Sequence, residues 1–218
     1  MRKNKISHNV ILRLPRYLRY LEELRDREMV RISSGELGQL MGITASQIRQ
    51  DLSCFGEFGQ QGYGYNVEML IKEVSEILGT NRERQVVVIG AGNLGRVVIG
   101  KFPFERYGFR LTGAYDVAES LVGQEIGGLI IRHVDRLEDD FRRVPPDVAV
   151  LAMSNDNANA IAKRLVDAGV RGIWNFTNAD ISVSSPGAVV ENLHFSDSLL
   201  TLSYYMTHRT PTAEEDNS

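Results

Sequence analysis

The stretch of residues 86–116 constrains what this chain can fold into more than any other. It begins with the apolar run Val86-Val87-Val88-Ile89, which predicts a strand buried on both faces. The segment Gly90-Ala91-Gly92-Asn93-Leu94-Gly95 follows at once, and a helical pattern starts at Asn93. A second predicted strand, residues 110–115, ends at Asp116. Strand, glycines, helix, strand and acid in this order predict a dinucleotide-binding α/β unit.

Each residue type in this segment has a physical role. Gly90 permits a tight turn from strand to helix, Gly92 lets the backbone approach a pyrophosphate, and Gly95 lets the helix pack close to the strand. The helix amino terminus presents unpaired N–H groups and a positive dipole end to phosphate. Asp116 is expected to accept hydrogen bonds from the adenosine ribose and to repel a 2′-phosphate, which favours NAD(H) over NADP(H). The alternative is an ordinary strand–helix turn with coincidental glycines.

Length and composition limit the number of domains and the class of protein that this chain can be. A length of 218 residues predicts one or two domains. No apolar run approaches the roughly 20 residues of a membrane span, and no signal-peptide core is present, so we expect a cytoplasmic protein without a membrane partner. The single cysteine excludes an internal disulfide and offers no metal cluster. The net charge is −3, yet residues 1–20 carry basic side chains and no acid, which favours contact between this end and phosphate.

Residues 1–80 show the pattern of a helix-turn-helix. A helix is predicted over residues 6–27 with a break before Pro15, and capping boxes begin two short helices at Ser33 and Thr44. Gly42 is predicted to end the first of them in a left-handed turn. Arg and Gln are side chains that recognise base edges bidentately. The outward face of the second short helix, predicted to contact DNA, carries Ser46, Gln47, Arg49, Gln50 and Ser53.

A glycine-dense hairpin follows this helix and predicts the wing of a winged helix. Its candidate DNA contacts are Gln60, Gln61 and Tyr63. Arg13 and Arg16 of the basic leading segment are further candidates, since guanidinium groups bind phosphate well. The alternative is a small helical bundle with a polar surface helix.

The rest of the chain alternates predicted strands and helices, which indicates a doubly wound, Rossmann-type domain with a parallel sheet. In such sheets the ligand lies beyond the carboxyl ends of the strands, which adds Ser154 to the candidate cofactor-binding residues. After Asp116, strands are predicted at residues 127–131, 148–152, 173–176 and 189–190, and helices at residues 135–141 and 155–168.

The remaining features favour a sensor over an enzyme. None of His133, His194 and His208 follows a strand end beside a second catalytic partner, so no catalytic residue is assigned. The last predicted helix, residues 195–208, is apolar over too much of its circumference for a terminal surface helix, which predicts burial against a second subunit. Residues 210–218 are polar and acidic, and we expect them to be disordered.

The order of these features makes the chain similar to the Rex family of redox-sensing transcriptional repressors. The resemblance runs from about residue 6 to residue 206. It is carried by Leu14-Pro15-Arg16-Tyr17-Leu18, Ser33-Ser34 with Glu36-Leu37, Thr44-Ala45-Ser46-Gln47-Ile48-Arg49, Phe55-Gly56, Phe58-Gly59, Gly62, Gly64-Tyr65, residues 90–95, Asn175-Phe176 and Leu202-Ser203-Tyr204-Tyr205.

The resemblance implies a winged helix-turn-helix domain at residues 1–80, a Rossmann NAD(H)-binding domain at 81–192, a swapped dimerisation helix at 193–209 and a tail at 210–218. It implies a homodimer that binds palindromic double-stranded operator DNA. NAD⁺ would be compatible with DNA binding, whereas NADH would bind more tightly, close the subunits and release the DNA, as a population shift requires. The nicotinamide would be sensed near Phe195 of the swapped helix.

The chain departs from the family pattern where that switch is expected. Arg16 is kept, but Lys101 and His194 stand where Tyr and Asp are frequent. Three outcomes for the switch stay open: it is rebuilt with different charges, made pH-sensitive through His194, or lost. Two alternatives therefore stay open: a DNA-binding paralogue with an altered or lost NADH response, and a less favoured NAD-dependent dehydrogenase. Further departures are Gln50, Gln60 and Gln61 in place of cations, Ser154 in place of Pro, and Thr177-Asn178 in place of Ala-Pro.

Overall fold

The computed structural model describes residues 6–55, 59–60, 63–185 and 187–208. The chain divides into two compact units, Met1–Arg82 and Glu83–Ser218. The predicted tail at residues 210–218 lies outside the described residues. The other predicted domain boundaries, after residues 80, 192 and 209, stay predictions.

The first unit is a winged helix-turn-helix. The turn at residues 42–44 joins α2 to α3, and Gly42 adopts the left-handed conformation predicted for it, with φ of 67°. The small sheet is antiparallel, with the order β1-β3-β2, and β2 and β3 form the wing. The elements are α1 (His8–Asp26), β1 (Arg31–Ile32), α2 (Ser34–Met41), α3 (Ala45–Ser53), β2 (Gly59–Gln60), β3 (Gly64–Asn66) and α4 (Val67–Leu78).

Helix α1 runs through Pro15 without a break, so the predicted interruption is wrong. Proline inside a helix removes a hydrogen bond and costs about 3 kcal/mol. Leu14 and Tyr17, on either side of Pro15, are both 0% exposed in the core of this unit. Burying two large side chains on one helical face offsets the cost of the proline. The sequence pattern around a proline could not include this tertiary contribution.

The second unit is the predicted α/β domain with a seven-stranded sheet of order β10-β9-β8-β4-β5-β7-β6. Apolar clusters cover the sheet on both faces, one built around α6 and α7 and the other around α5. The strands are β4 (Arg84–Ile89), β5 (Phe109–Asp116), β6 (Glu125–Ile126), β7 (Leu129–His133), β8 (Val148–Leu151), β9 (Gly172–Asn175) and β10 (Val189–Asn192). The helices are α5 (Asn93–Lys101), α6 (Leu137–Phe141), α7 (Ala158–Asp167) and α8 (Phe195–His208).

The sheet is not entirely parallel, and one predicted strand is partly wrong. Gly127 and Gly128, assigned to a strand by their apolar neighbours, have φ of 57° and 78° and form a tight turn. This turn joins β6 to β7 as an antiparallel hairpin at the edge of the sheet. Two glycines with positive φ are the usual requirement of a two-residue hairpin turn, and this signal was present in the sequence.

Helix α8 stands out because none of its side chains is buried in the single chain. A helix with apolar residues over much of its surface requires a partner to exclude water. Among the described residues, no helix is both long and apolar enough to cross a membrane. The exposed large apolar side chains of α8 are Phe195, Leu199, Leu200, Leu202, Tyr204, Tyr205 and Met206.

Candidate nucleotide cleft and DNA-binding helix

The glycine segment after β4 has the geometry that its sequence predicts. Gly90 has φ of 97°, and a Cβ atom there would lie 2.6 Å from the carbonyl oxygen of Ala152. A Cβ at Gly95 would overlap the carbonyl oxygen of Gly90, so only glycine lets α5 approach the strand. At Gly92, by contrast, a Cβ atom would have no described atom from other parts of the chain within 4 Å. The backbone at Gly92 is therefore open to close approach by a ligand.

The amino terminus of α5 faces this open space without a side-chain cap. Gly92 is the N-cap residue and has no side chain to satisfy the first N–H groups of the helix. Asn93, Leu94 and Gly95 form the first turn. Free N–H groups together with the positive end of the helix dipole make this position suited to phosphate.

Asp116 lies at the end of β5 and is 8% exposed. Its Oδ2 accepts the backbone N–H of Ala91 at 2.6 Å, and its Oδ1 accepts the N–H of Ala118 at 2.8 Å. The carboxylate therefore ties the glycine segment to the end of the neighbouring strand. Sequence reasoning assigned Asp116 to a ribose and missed this bracing role, which depends on a contact 25 residues away.

A cleft of about 260 Å³ lies at the carboxyl ends of β4, β5 and β8. It brings together Gly90, Gly92, Asp116 and Ser154 from the predicted cofactor-binding set. Ala91 is buried against Asp116, and Phe195 is not among the lining residues. The rest of the cleft lining is largely apolar. The other lining residues are Ile89, Val117, Leu121, Val134, Ala152, Met153 and Asn157.

Phe195, at the start of α8, instead joins an aromatic row across β9. Its ring centroid lies 6.0 Å from that of Phe176, which lies 4.5 Å from Trp174. Trp174 in turn packs on Phe102, just beyond α5, at 5.2 Å. This row carries the apolar surface from the end of α5 to the base of α8.

The residues that depart from the family pattern have defined partners here. His194 Nε2 lies 2.9 Å from Asp180 Oδ1, so a protonated His194 would form an ion pair within its own unit. The backbone N–H of Asn178 donates to Asn155 Oδ1 at 2.9 Å, which links the loops after β8 and β9. Lys101 is the exposed last residue of α5. Within the described residues, no cluster of three or more His, Cys, Asp or Glu could hold a metal ion.

In the first unit, α3 presents most of its predicted DNA-binding face to solvent. Ser46, Arg49, Gln50 and Ser53 are exposed, whereas Gln47 is half-buried. Arg49 Nη1 donates to Ser34 Oγ at 3.0 Å, which links α3 to the start of α2. This face is a continuous polar surface of the kind that enters a major groove.

Only one of the two predicted capping boxes is complete. Ser33 and Glu36 cap α2 reciprocally, as predicted. Thr44 accepts the N–H of Gln47 at 3.1 Å, but the Gln47 side chain does not return to the cap. Its Nε2 instead donates to Asp51 Oδ1 at 2.7 Å, and a hydrogen bond to an ionised acceptor is stronger than the neutral bond that a capping box would form with the Thr44 N–H.

Asp51 is the centre of a buried polar cluster that the sequence did not reveal. It is 0% exposed and accepts Arg13 Nε at 2.6 Å and Arg13 Nη2 at 2.7 Å, with the Tyr17 hydroxyl at 3.0 Å. Burial works against the charge of Asp51, but the hydrogen bonds from Arg13, Gln47 and Tyr17 outweigh it, and the pKa of this carboxyl lies below its ordinary value. Burial, with the nearby charge of Asp51, raises the pKa of Tyr17.

This cluster changes the role of two leading-segment arginines. Arg13 was predicted to contact DNA, but its Nε and Nη2 are committed to Asp51 and its charge is largely neutralised there. Arg16 Nη2 donates to the carbonyl oxygen of Met41 at 2.8 Å, near the end of α2. Both side chains join helices within this unit, and their contact with DNA stays a prediction.

Of the predicted wing contacts, Tyr63 is the residue whose side chain the structure describes. Tyr63 is 69% exposed, and its carbonyl oxygen accepts Arg31 Nη1 at 3.2 Å. Gln60 lies on β2, and Gln61 lies outside the described residues. Arg31, which the sequence prediction missed, supplies a cation at the base of the wing.

Both units match families of known proteins. The family model described as "Putative DNA-binding protein N-terminus" matches residues 5–53, and the one described as "CoA binding domain" matches residues 81–179. The redox-sensing transcriptional repressor Rex of Thermoanaerobacter pseudethanolicus is 48% identical over 203 residues, which cover 93% of this chain and 90% of that protein. The repressor of the same name from Clostridium beijerinckii is 48% identical over 208 residues, with coverage of 94% and 98%.

Solved structures of RSP match this chain in fold and in sequence. The complex of RSP with β-NAD⁺ and operator DNA has a TM-score of 0.88 and 47% identity, with 94% of each chain covered. The complex of RSP with β-NADH has a TM-score of 0.86 and 44% identity, covering 94% of this chain and 95% of that one. Relatives of this kind do not favour the two alternatives, a paralogue without an NADH response or a dehydrogenase. With this identity over almost its full length, the chain belongs to the Rex family of redox-sensing transcriptional repressors.

Proposed function

We propose that this chain acts as a cytoplasmic homodimer that binds a palindromic double-stranded operator when NADH is scarce and leaves it when NADH binds. The observation that carries the proposal is its similarity, at 44–47% identity, to RSP in complexes with β-NAD⁺ and operator DNA and with β-NADH. The open cleft at the glycine segment and the exposed face of α3 support the same assignment.

The cleft accounts for how either nicotinamide dinucleotide would be held. The pyrophosphate would lie over Gly92 and the first turn of α5, where N–H groups and the helix dipole favour negative charge. The ribose next to the adenine would meet Asp116, which still has lone pairs open towards the cleft because each oxygen accepts one N–H. Val117, Leu121 and Val134 would provide an apolar surface for adenine. The proposed cofactor-binding residues are Gly90, Ala91, Gly92, Asn93, Leu94, Gly95, Asp116, Ser154 and Phe195.

Helix α8 would form the dimer by burying its exposed apolar side chains against the second copy. Phe195 is 56% exposed and Met206 is 75% exposed in the single chain. A dimer brings two copies of α3 to the two halves of a palindrome, as operator symmetry requires. The proposed DNA-binding residues are Arg13, Arg16, Ser46, Gln47, Arg49, Gln50, Ser53, Gln60, Gln61 and Tyr63.

Fluorescence anisotropy tests the switch directly. A palindrome would be selected by the full-length protein from random duplexes, labelled, bound at constant salt and titrated separately with NADH and NAD⁺. We expect NADH to release the DNA at concentrations where NAD⁺ leaves it bound. If NADH binds, as its own fluorescence reports, and the anisotropy stays high, the proposed switch is wrong.

A further inference from the structure

The order of the strands decides in which direction a bound dinucleotide extends. In the sheet, β4 lies between β5 on one side and β8, followed by β9, on the other. The proposed ribose site at Asp116 is at the end of β5, and the proposed pyrophosphate site at Gly92 follows β4. The nicotinamide half therefore extends away from β5, across the carboxyl ends of β8 and β9.

Two loops follow these strand ends. The β8 loop, residues 152–157, supplies Ser154 to the wall of the cleft. The β9 loop, residues 176–180, ends at Asp180, whose Oδ1 lies 2.9 Å from Nε2 of His194, the residue before α8. The β9 loop therefore has a contact with the base of the proposed dimerisation helix, and its position beside the cleft depends on what joins it to the β8 loop.

The β9 loop is held in shape by Asn175, the last residue of β9, which is 0% exposed. Its Oδ1 accepts the backbone N–H of Thr177 at 3.0 Å and the Thr177 hydroxyl at 2.7 Å. Its Nδ2 donates to the carbonyl oxygen of Ala179 at 2.7 Å. These bonds fix the backbone on both sides of Asn178, so the direction of the Asn178 N–H is set before any ligand binds.

The N–H of Asn178 donates to Oδ1 of Asn155, in the β8 loop, at 2.9 Å. Because the partner is a backbone donor, the Asn155 amide must present its oxygen and not its nitrogen. Proline has no N–H, so the bond is possible only because position 178 departs from the proline of the family pattern. Asn155 is next to Ser154, so the bond joins the wall of the cleft to the β9 loop.

We infer that Asn155 is a positioning residue for the nicotinamide half of the cofactor, because it holds the β9 loop beside the cleft wall where that half extends. The inference rests on the proposed binding of a nicotinamide dinucleotide in the cleft. Without the bond, the β9 loop has to be ordered when the dinucleotide binds, and this cost lowers the affinity. A ligand that lacks the nicotinamide half occupies only the β4 and β5 side and does not depend on the bond.

Calorimetric titration of the full-length protein with NADH and with ADP, which ends at the pyrophosphate, separates the two halves of the site. Asn155→Ala removes the acceptor of the bond, and Asn178→Pro removes its donor. We expect each change to weaken NADH binding about threefold to tenfold and to alter ADP binding by less than about twofold. The matched control Asn178→Ala shortens an exposed side chain and keeps the backbone N–H, so it should bind both ligands as the wild type does.

The double variant of Asn155→Ala with Asn178→Pro should weaken NADH binding no more than either single change, because both remove the same bond. Equal losses for NADH and ADP, additive losses in the double variant, a loss in Asn178→Ala as large as in Asn178→Pro, or unchanged NADH binding by Asn155→Ala would each overturn the inference. If Asn178→Pro does not fold, the two ligands compared on Asn155→Ala decide the question. A wild-type protein that does not bind NADH would instead contradict the proposed function itself.

Discussion

Each unit of this molecule buries one aspartate on the element that carries its candidate site, and the two charges are satisfied by different means. Asp51, on α3, is held by side chains, including the cation of Arg13. Asp116, at the end of β5, accepts two backbone N–H groups, from Ala91 and Ala118. Both carboxylates fix functional geometry, one for a helix surface and one for a glycine segment.

This difference in partners determines which substitutions disrupt each site. The partners of Asp51 are side chains, so one substitution elsewhere can leave a buried charge without compensation. The partners of Asp116 belong to the main chain and are present whatever the side chains at positions 91 and 118. Side-chain support makes the candidate DNA-binding helix sensitive to distant substitutions, whereas backbone support makes the candidate nucleotide cleft sensitive mainly to substitution of Asp116 itself.

The largest expected effect comes from Arg13→Ala. The change leaves a fully buried carboxylate without its cation, and breaking such a pair costs about 3–5 kcal/mol of unfolding free energy. The loss should appear in the first unit, as faster hydrogen exchange of α1 and α3 measured by mass spectrometry. The control Arg25→Ala removes an exposed pair with Asp26 and should cost less than about 1 kcal/mol. If the two variants lose equal amounts of unfolding free energy, the buried Arg13–Asp51 pair contributes no more to stability than the exposed Arg25–Asp26 pair.

Asp116→Asn should have an intermediate effect, confined to the second unit. The amide can accept only one of the two N–H groups, and leaving the other unsatisfied costs about 1–3 kcal/mol. The single tryptophan, Trp174 on β9, reports urea unfolding of this unit by fluorescence. NADH affinity should also fall, because the glycine segment loses its brace. The control Asp139→Asn alters an exposed pair on α6, and a shift of the same size there would contradict the bracing role.

The smallest expected effect is a difference between wild type and Asp51→Asn in how strongly acid lowers the unfolding free energy. Because the pKa of Asp51 is lowered in the folded state, its stabilising contribution is present above the ordinary value of 3.8 and is lost as the pH falls through the folded-state value. The gap in unfolding free energy between wild type and Asp51→Asn should therefore narrow as the pH falls below about 3.8. Urea unfolding followed by circular dichroism at a series of pH values measures this gap. A gap that stays constant down to about pH 3 would mean that folding does not lower the pKa of Asp51.

Local signals in the sequence predicted the parts of the fold that depend on neighbouring residues. Gly42 in its left-handed turn, the reciprocal cap of Ser33 and Glu36, and the close helix packing at Gly95 follow from a few adjacent residues. The Gly127-Gly128 turn was equally local, but the apolar residues after it favoured a strand. Here two local signals competed, and the positive φ angles show which one prevailed.

Apart from the Gly127-Gly128 turn, the features that sequence reasoning missed depend on burial and contacts that distant parts of the chain provide. Arg13 meets Asp51 across 38 positions, and Ala91 meets Asp116 across 25. Pro15 stays helical because of what Leu14 and Tyr17 contact in the core, and Gln47 turns from its cap to a buried anion.

By itself, the sequence determined the two kinds of unit, the glycine segment that forms the cleft and the helix that faces outward for DNA, because the period of apolar residues and the stereochemistry of glycine act over a few residues. Only the tertiary structure decided which polar side chains on those elements are free and which are committed. A buried carboxylate must be satisfied by the donors that the fold brings to it, and this requirement gives Arg13 and Gln47 a partner within their own unit.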